Sequence, residues 1–320
     1  MREEIGFDEP PMSWKRLTER VAQQDWPAGA LYVIATPIGN LADLSLRAFE
    51  ALRRCDVIAA EDTRSSRQLL DAWGVNTPLM AAHRHNEASA AQAIIGRLRN
   101  GERVALISDA GTPAVSGVQT CALPIWRGAR VVRTVVAEGY RAIPIPGASA
   151  VLAALMASGA TTDENPAYMF AGFAPQKATA RLKWFRRWSE SGVPVVFFES
   201  PHRLVASMSD LAGLLPGDRL LTVARELTKR FEQVVTLPLD AVQDWLQQDS
   251  HHSQGEFVLV LHPDAGADAD EAPPAYVAML LDALLEELSV KDAARIAARA
   301  TNLPKADLYR MALERRTRDA

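Results

Sequence analysis

Apolar positions recur along the chain in two alternating rhythms. Leu31–Ala35 is a short, partly β-branched run that breaks into Thr36-Pro37-Ile38-Gly39-Asn40, the pattern of a strand ending in a tight loop. Behind Ser45 the stretch LRAFEALRRC has helical spacing. The alternation continues. Strand-like runs end at Ala60, near Ala82, at Ser108 and at Ile145, while helical stretches at Ser65–Trp73, Glu87–Asn100 and Ala148–Ser158 stop at Gly74, Gly101 and Gly159. Strands alternating with helices predict a parallel sheet covered on both faces. A second α/β reading follows, with strands near Tyr168–Phe173, Val193–Phe198, Leu220–Ala224, Phe231–Leu237 and Phe257–His262, and helices at about 177–190, 201–213 and 239–248. Pro263–Pro274 is acidic and rich in Pro and Ala, with nothing to build a core. Three short helices are expected after it, at Tyr276–Leu288, Val290–Ala300 and Lys305–Arg315, the second opened by a Ser289/Asp292 capping box.

The expected fold class is therefore α/β: two α/β domains facing one another across a cleft, with a small C-terminal helical extension. The boundaries expected are a flexible N-terminal extension over 1–28, a parallel α/β domain over 29–158, a smaller α/β domain over 159–262, a linker over 263–274 and the helices over 275–320. The last helices read equally well as a helix-turn-helix and as an appendage docked on the body or on a second subunit.

Composition narrows the function classes. A hydrophobic share of 48% and a charged share of 23% belong to a soluble globular protein. No apolar run approaches the roughly 20 residues that span a bilayer, and the N-terminus is too polar for a signal peptide, so a cytoplasmic protein with no membrane partner is expected. Cys55 and Cys121 offer neither a disulfide framework nor metal-ligand spacing, and no metal is expected. A net charge of −4 argues against indiscriminate nucleic-acid binding and leaves room for a local basic face.

The chemistry concentrates at strand ends. Val104–Ser108 runs into Asp109-Ala110-Gly111-Thr112-Pro113, and Ala142–Ile145 into Pro146-Gly147-Ala148-Ser149, each repeating the corner at Pro37-Ile38-Gly39-Asn40. Three such loops on one parallel sheet would meet along its carboxyl edge, where crevices form. None matches a phosphate-binding or dinucleotide fingerprint and none holds a lysine, which points to an uncharged or cationic ligand with hydroxyls for Asp109 to accept. Glu61-Asp62-Thr63-Arg64 lies at the same edge, as a polar cluster or as a salt bridge with a helix cap. Glu199-Ser200-Pro201-His202-Arg203 and Arg225-Glu226-Leu227-Thr228-Lys229 follow strands of the second domain. Lys177, Arg181, Lys183, Arg186 and Arg187, interleaved with Trp184, Phe185 and Trp188, form the best basic-aromatic stretch, readable as an RNA-binding face or as an amphipathic helix with its tryptophans packed inward. Arg295, Arg299, Arg310, Arg315 and Arg316 are a second candidate surface.

In this order and spacing LYVIATPIGNL, AAEDTR, ALISDAGTP, IPIPGASA, FFESPHR, ARELTK and GEFVLVL resemble the tetrapyrrole-methylase superfamily, and within it the ribosomal RNA small subunit methyltransferase I family. The resemblance covers about Leu31–His262, with C-terminal helices similar to that family's extension. It implies a homodimer binding S-adenosylmethionine in the interdomain cleft and methylating a cytidine ribose 2′-hydroxyl in the decoding centre of 16S rRNA, in the 30S subunit or its free rRNA. On that reading Pro37, Gly39, Asn40, Asp109, Gly111, Thr112, Pro113, Gly147 and Ser149 are expected at the cofactor. Glu61 or Glu199 would serve as base or orienting group, and Arg64, Arg203 or Lys229 would hold phosphate or lower the hydroxyl's pKa. The rival readings are a corrinoid- or porphyrin-type methyltransferase using the same cofactor and a catalytically inactive RNA-binding protein.

The pattern breaks once. After Ser116 the family continues Asp-Pro-Gly, whereas this chain reads GVQTCALPIWR before Gly128. Gly117–Ile125 equals the translation of a common sequencing adapter, GGA GTT CAG ACG TGT GCT CTT CCG ATC, and is expected to be an assembly artefact that displaced an Asp-Pro pair. Made as written, the longer loop beside Asp109-Ala110-Gly111 would weaken cofactor binding while sparing the fold.

Overall fold

The computed structural model describes residues 13–83, 86–113, 128–163, 165–264, 275–301 and 303–318. Gly117–Ile125, with Cys121 in it, and most of the expected linker lie outside the described residues. The chain forms two compact units, one of 1–157 with 224–234 and 255–258, the other of 158–223, 235–254 and 259–320.

The first sheet contains β1 (Ala30–Ile34), β2 (Val57–Ala60), β3 (Leu79–Ala81), β4 (Val104–Ile107) and β5 (Arg141–Ile145), in the order β3-β2-β4-β1-β5. Every neighbouring pair runs parallel. Its helices are α2 (Leu46–Arg54), α3 (Thr63–Ala72), α4 (Glu87–Arg99), α5 (Ala129–Ala137) and α6 (Ala150–Ser158). Strand residues alternate between two cores, as a period of two requires. Tyr32, Ile34, Ile58, Ala60, Ala105 and Ile107 pack with Ala48, Leu52 and Leu70 of α2 and α3. Leu31, Val57, Ala59, Val104 and Leu106 pack with Ile94, Leu98, Val131 and Val135 of α4 and α5. Both faces are covered, so strands rich in apolar residues need no polar side.

The described part of the N-terminal extension contains a helix. Trp14–Ala22 forms α1, capped by Ser13, and Val21 and Trp26 join the first core. The Trp26 carbonyl accepts from Arg103 Nε at 2.9 Å, and the Pro27 carbonyl accepts from the Tyr32 hydroxyl at 2.9 Å. Two buried side chains among many charges anchor this segment, too sparse a pattern to read as core.

The second sheet contains β6 (Met169–Phe173), β7 (Val195–Glu199), β8 (Leu220–Arg225), β9 (Gln233–Pro238) and β10 (Phe257–Leu261), in the order β6-β7-β10-β8-β9. α7 (Ala178–Ser189), α8 (Pro201–Ala212) and α9 (Leu239–Gln248) accompany it. Phe185 of α7 is buried against Phe197 of β7, ring centroids 5.8 Å apart, and Leu204, Met208 and Leu211 give α8 its buried face. The C-terminal helices α10 (Ala275–Glu287), α11 (Val290–Thr301) and α12 (Lys305–Arg318) share a core of their own built on Val277, Leu281, Ala294, Ala297, Leu308 and Ala312. Ser289 caps α11 by accepting from the Asp292 amide at 3.2 Å and donating its hydroxyl to the Asp292 carboxylate at 2.8 Å. No helix among the described residues is long and apolar enough to cross a membrane.

Candidate functional site

Three loops meet at the carboxyl edge of the first sheet because β4, β1 and β5 are neighbours. Thr36, just beyond β1, exchanges backbone hydrogen bonds with Gly111, donating at 2.9 Å and accepting at 3.1 Å, while its hydroxyl reaches the Ser108 carbonyl at 3.1 Å. The Thr112 hydroxyl donates to the Ala148 carbonyl at 3.1 Å, tying the β4 loop to the β5 loop. A Cβ on Gly147 would lie 3.0 Å from that of Ala35 and 3.2 Å from the Ala35 carbonyl oxygen, so the loop can approach β1 only without a side chain. Pro37, Gly111 and Pro113 are buried within this rim, and Gly39 and Asn40 are exposed on it. Asn40 caps the short 3-10 turn Leu41–Asp43 through the Ala42 amide at 3.1 Å. The Ser149 carbonyl accepts from Ala153 and starts α6.

The Glu-Asp-Thr-Arg segment joins this rim through Asp109. Asp109 Oδ1 accepts the Asp62 amide at 3.0 Å, and Asp62 caps α3 by accepting from the Arg64 and Ser65 amides at 2.8 and 3.4 Å. Burial pushes the Asp109 carboxyl above its ordinary range; the Asp62 amide opposes that shift and the Asp62 carboxylate adds to it. Glu61 is half-buried at the end of β2, and Arg64 is exposed on the first turn of α3.

The Glu-Ser-Pro-His-Arg segment is different. Glu199 has no exposed side-chain surface; it pairs with Arg203 at 2.7 Å, accepts the Ser200 amide at 2.8 Å and takes a short hydrogen bond from the Ser207 hydroxyl. Arg203 also donates to Ser200 Oγ at 3.2 Å and to the Ala174 carbonyl at 3.2 Å. These bonds hold Glu199 and Arg203 at the start of α8. His202, between them in sequence, is exposed on the first turn of that helix.

Lys229 is likewise not a free cation. Its ammonium pairs with Glu226 at 2.9 Å and with Glu256 at 3.0 Å. Of the basic stretch, Lys177, Lys183, Arg186 and Arg187 are exposed. Arg181, unlike these four, is 4% exposed, donates to the Pro175 and Gln176 carbonyls and pairs through two nitrogens with Asp210. Of the second surface, Arg295, Arg310 and Arg315 pair with Asp292, Asp307 and Asp282. Sequence reasoning misses Thr36, Gly255 and the pairing of Glu226 with Glu256. All of these residues lie inside motifs, but only backbone conformation and strand pairing give them their partners.

Burial pushes the Cys55 thiol up to about 12, which leaves it an unreactive core residue. Among the described residues no group of three or more His, Cys, Asp or Glu is placed to hold a metal ion.

Residues 30–243 match the family described as Tetrapyrrole (Corrin/Porphyrin) Methylases, and residues 270–316 match the RsmI C-terminal HTH domain. The chain is similar to the ribosomal RNA small subunit methyltransferase I of Pseudomonas aeruginosa, 42% identical over 288 residues that make up 90% of this chain and 98% of that one. The protein of the same name from Mesorhizobium japonicum is 44% identical over 299 residues, 92% of this chain and 96% of its own. Among solved structures, a cobalt precorrin-4 methyltransferase of cobalamin biosynthesis superposes with a TM-score of 0.53 over 74% of this chain and 98% of its own at 17% identity, a likeness of fold. The parallel sheet with its stitched rim thus sits in a chain that belongs to the tetrapyrrole methylase family, alongside the ribosomal RNA small subunit methyltransferase I proteins.

Proposed function

We propose that this protein methylates small-subunit ribosomal RNA, using S-adenosylmethionine as donor and the 2′-hydroxyl of a cytidine ribose in the decoding centre as acceptor. The observation that carries the reading is the rim itself: loops from β4, β1 and β5 are tied by Thr36–Gly111 and Thr112–Ala148 and joined through Asp109 to the Glu61-Asp62 segment. The residues fit such a donor. Asp109 offers a carboxylate to hydroxyls, and no lysine of these loops would repel a cation. Pro37, Asn40, Gly111, Thr112, Pro113 and Ser149 would line the same cradle. When bound, S-adenosylmethionine supplies an electrophilic methyl group on a sulfonium.

The chain's part is to position and deprotonate the acceptor. A ribose hydroxyl is a weak nucleophile, so alignment supplies much of the acceleration. We assign Glu61 to orient the hydroxyl and take its proton, because it lies half-buried at the end of β2 on the segment that Asp109 ties to the rim. Arg64, exposed at the N-terminal turn of α3, suits a backbone phosphate. Lys177 at the start of α7, with Lys183, Arg186 and Arg187 along it, gives an exposed basic face for the RNA. α6 carries no charge and leaves Leu152 51% and Met156 86% exposed four residues apart, an apolar stripe that suits the homodimer.

Incubating 30S subunits, free 16S rRNA and uroporphyrinogen with labelled S-adenosylmethionine, followed by nucleoside analysis, tests the reading. 2′-O-methylcytidine from ribosomal RNA is the expected product; label in the tetrapyrrole alone, or in no acceptor despite donor binding, would overturn it.

A further inference from the structure

We infer that Glu226 and Glu256 are positioning residues that stretch Lys229 across Gly39, so that the lysine's alkyl stem, and not its charge, fixes the β1 loop at the rim. The contact is direct. A Cβ built on Gly39 would lie 2.5 Å from Cγ and 2.9 Å from Cε of Lys229, which means the stem lies flat on the glycine's backbone, with Gly39 at φ +154°. The ammonium end is clamped on the far side by Glu226 Oε1 and Glu256 Oε2. Glu226 Oε1 also accepts the Glu256 amide at 2.9 Å, and the Glu226 amide donates to the Glu256 carbonyl at 3.0 Å, so the clamp is pinned to the start of β10. Gly255 completes it: a side chain there would collide with the Glu226 carboxyl at 2.6 to 2.8 Å.

The turn that carries the lysine is held against its own preference. Glu226 at φ 50° and Thr228 at φ 65° are the non-glycine residues with positive φ among those described, and both fall within this turn. Such strain persists only where the surrounding structure holds it, and it collects at functional sites. The Thr228 hydroxyl oxygen is buried with no hydrogen-bond partner in the described structure, a second cost at the same place. Burial draws the Lys229 ammonium down, but hydrogen bonds and charge from Glu226 and Glu256 outweigh it and leave its pKa raised. A lysine so held is charged and engaged at neutral pH, unsuited to proton transfer. What it presents to the rim is its chain of methylenes.

The inference rests on the β1 loop being part of the donor site, and its test separates the two. Hydrogen exchange of the amides at 38–42 is measured in the unliganded full chain, and S-adenosylmethionine affinity by calorimetry, for Lys229→Ala, Lys229→Met and Glu226→Gln/Glu256→Gln. Lys229→Ala is expected to speed exchange at Gly39 and Asn40 by about tenfold or more, the loss of local restraint corresponding to about 1.4 kcal/mol. Lys229→Met, which keeps the stem, recovers most of that protection, and the double Gln variant falls between. Unchanged exchange in Lys229→Ala, or Lys229→Met behaving like Lys229→Ala, overturns the clamp. Should exchange respond as described while the native chain binds no S-adenosylmethionine, the clamp stands and the donor site falls. Glu256→Gln alone, at a side chain 72% exposed, guards against misfolding and is expected to give a small change in the same direction.

Discussion

The Glu-Asp-Thr-Arg and Glu-Ser-Pro-His-Arg segments look alike in sequence, each a polar cluster directly behind a buried apolar strand, yet the structure uses them in opposite ways. Behind β7, Glu199 is buried with both oxygens bonded, and Arg203 pairs with Glu199 and donates to Ser200 and Ala174 within the second unit. Behind β2, Asp62 caps a helix, its amide is held by Asp109, and Arg64 projects to solvent on the loop network shared with β1, β4 and β5. Charge after a strand therefore does not mark a site by itself. What distinguishes the two is exposure: the Glu199 side chain is fully enclosed, whereas Asp62 and Arg64 face solvent.

The contrast breaks most visibly at Glu199. Replacing it with Ala strands Arg203 and Ser207 in the core and is expected to cost about 3 to 5 kcal/mol in denaturant unfolding. A Glu199→Ala protein as stable as the native one but inactive would move this carboxylate back among the catalytic groups. At the rim the balance reverses. Glu61→Ala is expected to lower single-turnover methyl transfer by about 100-fold or more, the scale of a lost general base, with donor affinity kept. Asp109→Ala should weaken S-adenosylmethionine by about 10- to 100-fold, the worth of a charged hydrogen bond, with little loss of stability by thermal unfolding.

Salt dependence sharpens the same comparison on α7. Removing Lys183, Arg186 and Arg187 together should flatten the slope of log affinity for RNA against log salt by about 0.7 for each phosphate those side chains neutralise. Arg181→Ala should instead lower stability, since its guanidinium is committed to Asp210. The smallest effect is a pH dependence. Burial raises the Asp109 pKa, so the folded state binds a proton more readily than the unfolded chain; the charged form costs stability above the ordinary aspartate range and that cost fades as pH falls through the raised value. Asp109→Asn, which keeps an acceptor for the Asp62 amide, should be slightly more stable than the native protein at neutral pH and lose that advantage in acid, as read from Tm against pH.

Much of the architecture is legible from pattern. The first sheet's strands and helices can be read to within a few residues, because Val57–Ala60 and Val104–Ile107 are continuous apolar runs and Gly74, Gly101 and Gly159 take the positive φ that ends a helix. α1 is not legible in the same way, because its hold on the core is Val21 and Trp26 alone in a charged segment. Arg181 reads as one more exposed cation because its burial depends on where Asp210 of α8 lies, which spacing along α7 does not encode. The convergence of the three glycine loops follows from parallel topology; the bonds that tie them do not.

By itself the order of residues determined the alternation of strands and helices, the motifs that place the chain in its family and the set of polar groups at strand ends, since these depend on local period and residue type. Only the tertiary structure decided which of those groups are buried among partners and which stay exposed. Hydrogen-bond partners such as Ser207 for Glu199, Asp62 for Asp109 and the pair of glutamates for Lys229 are fixed by folding, several of them from distant stretches of chain. The strand order β3-β2-β4-β1-β5, not the sequence order, sets which loops touch.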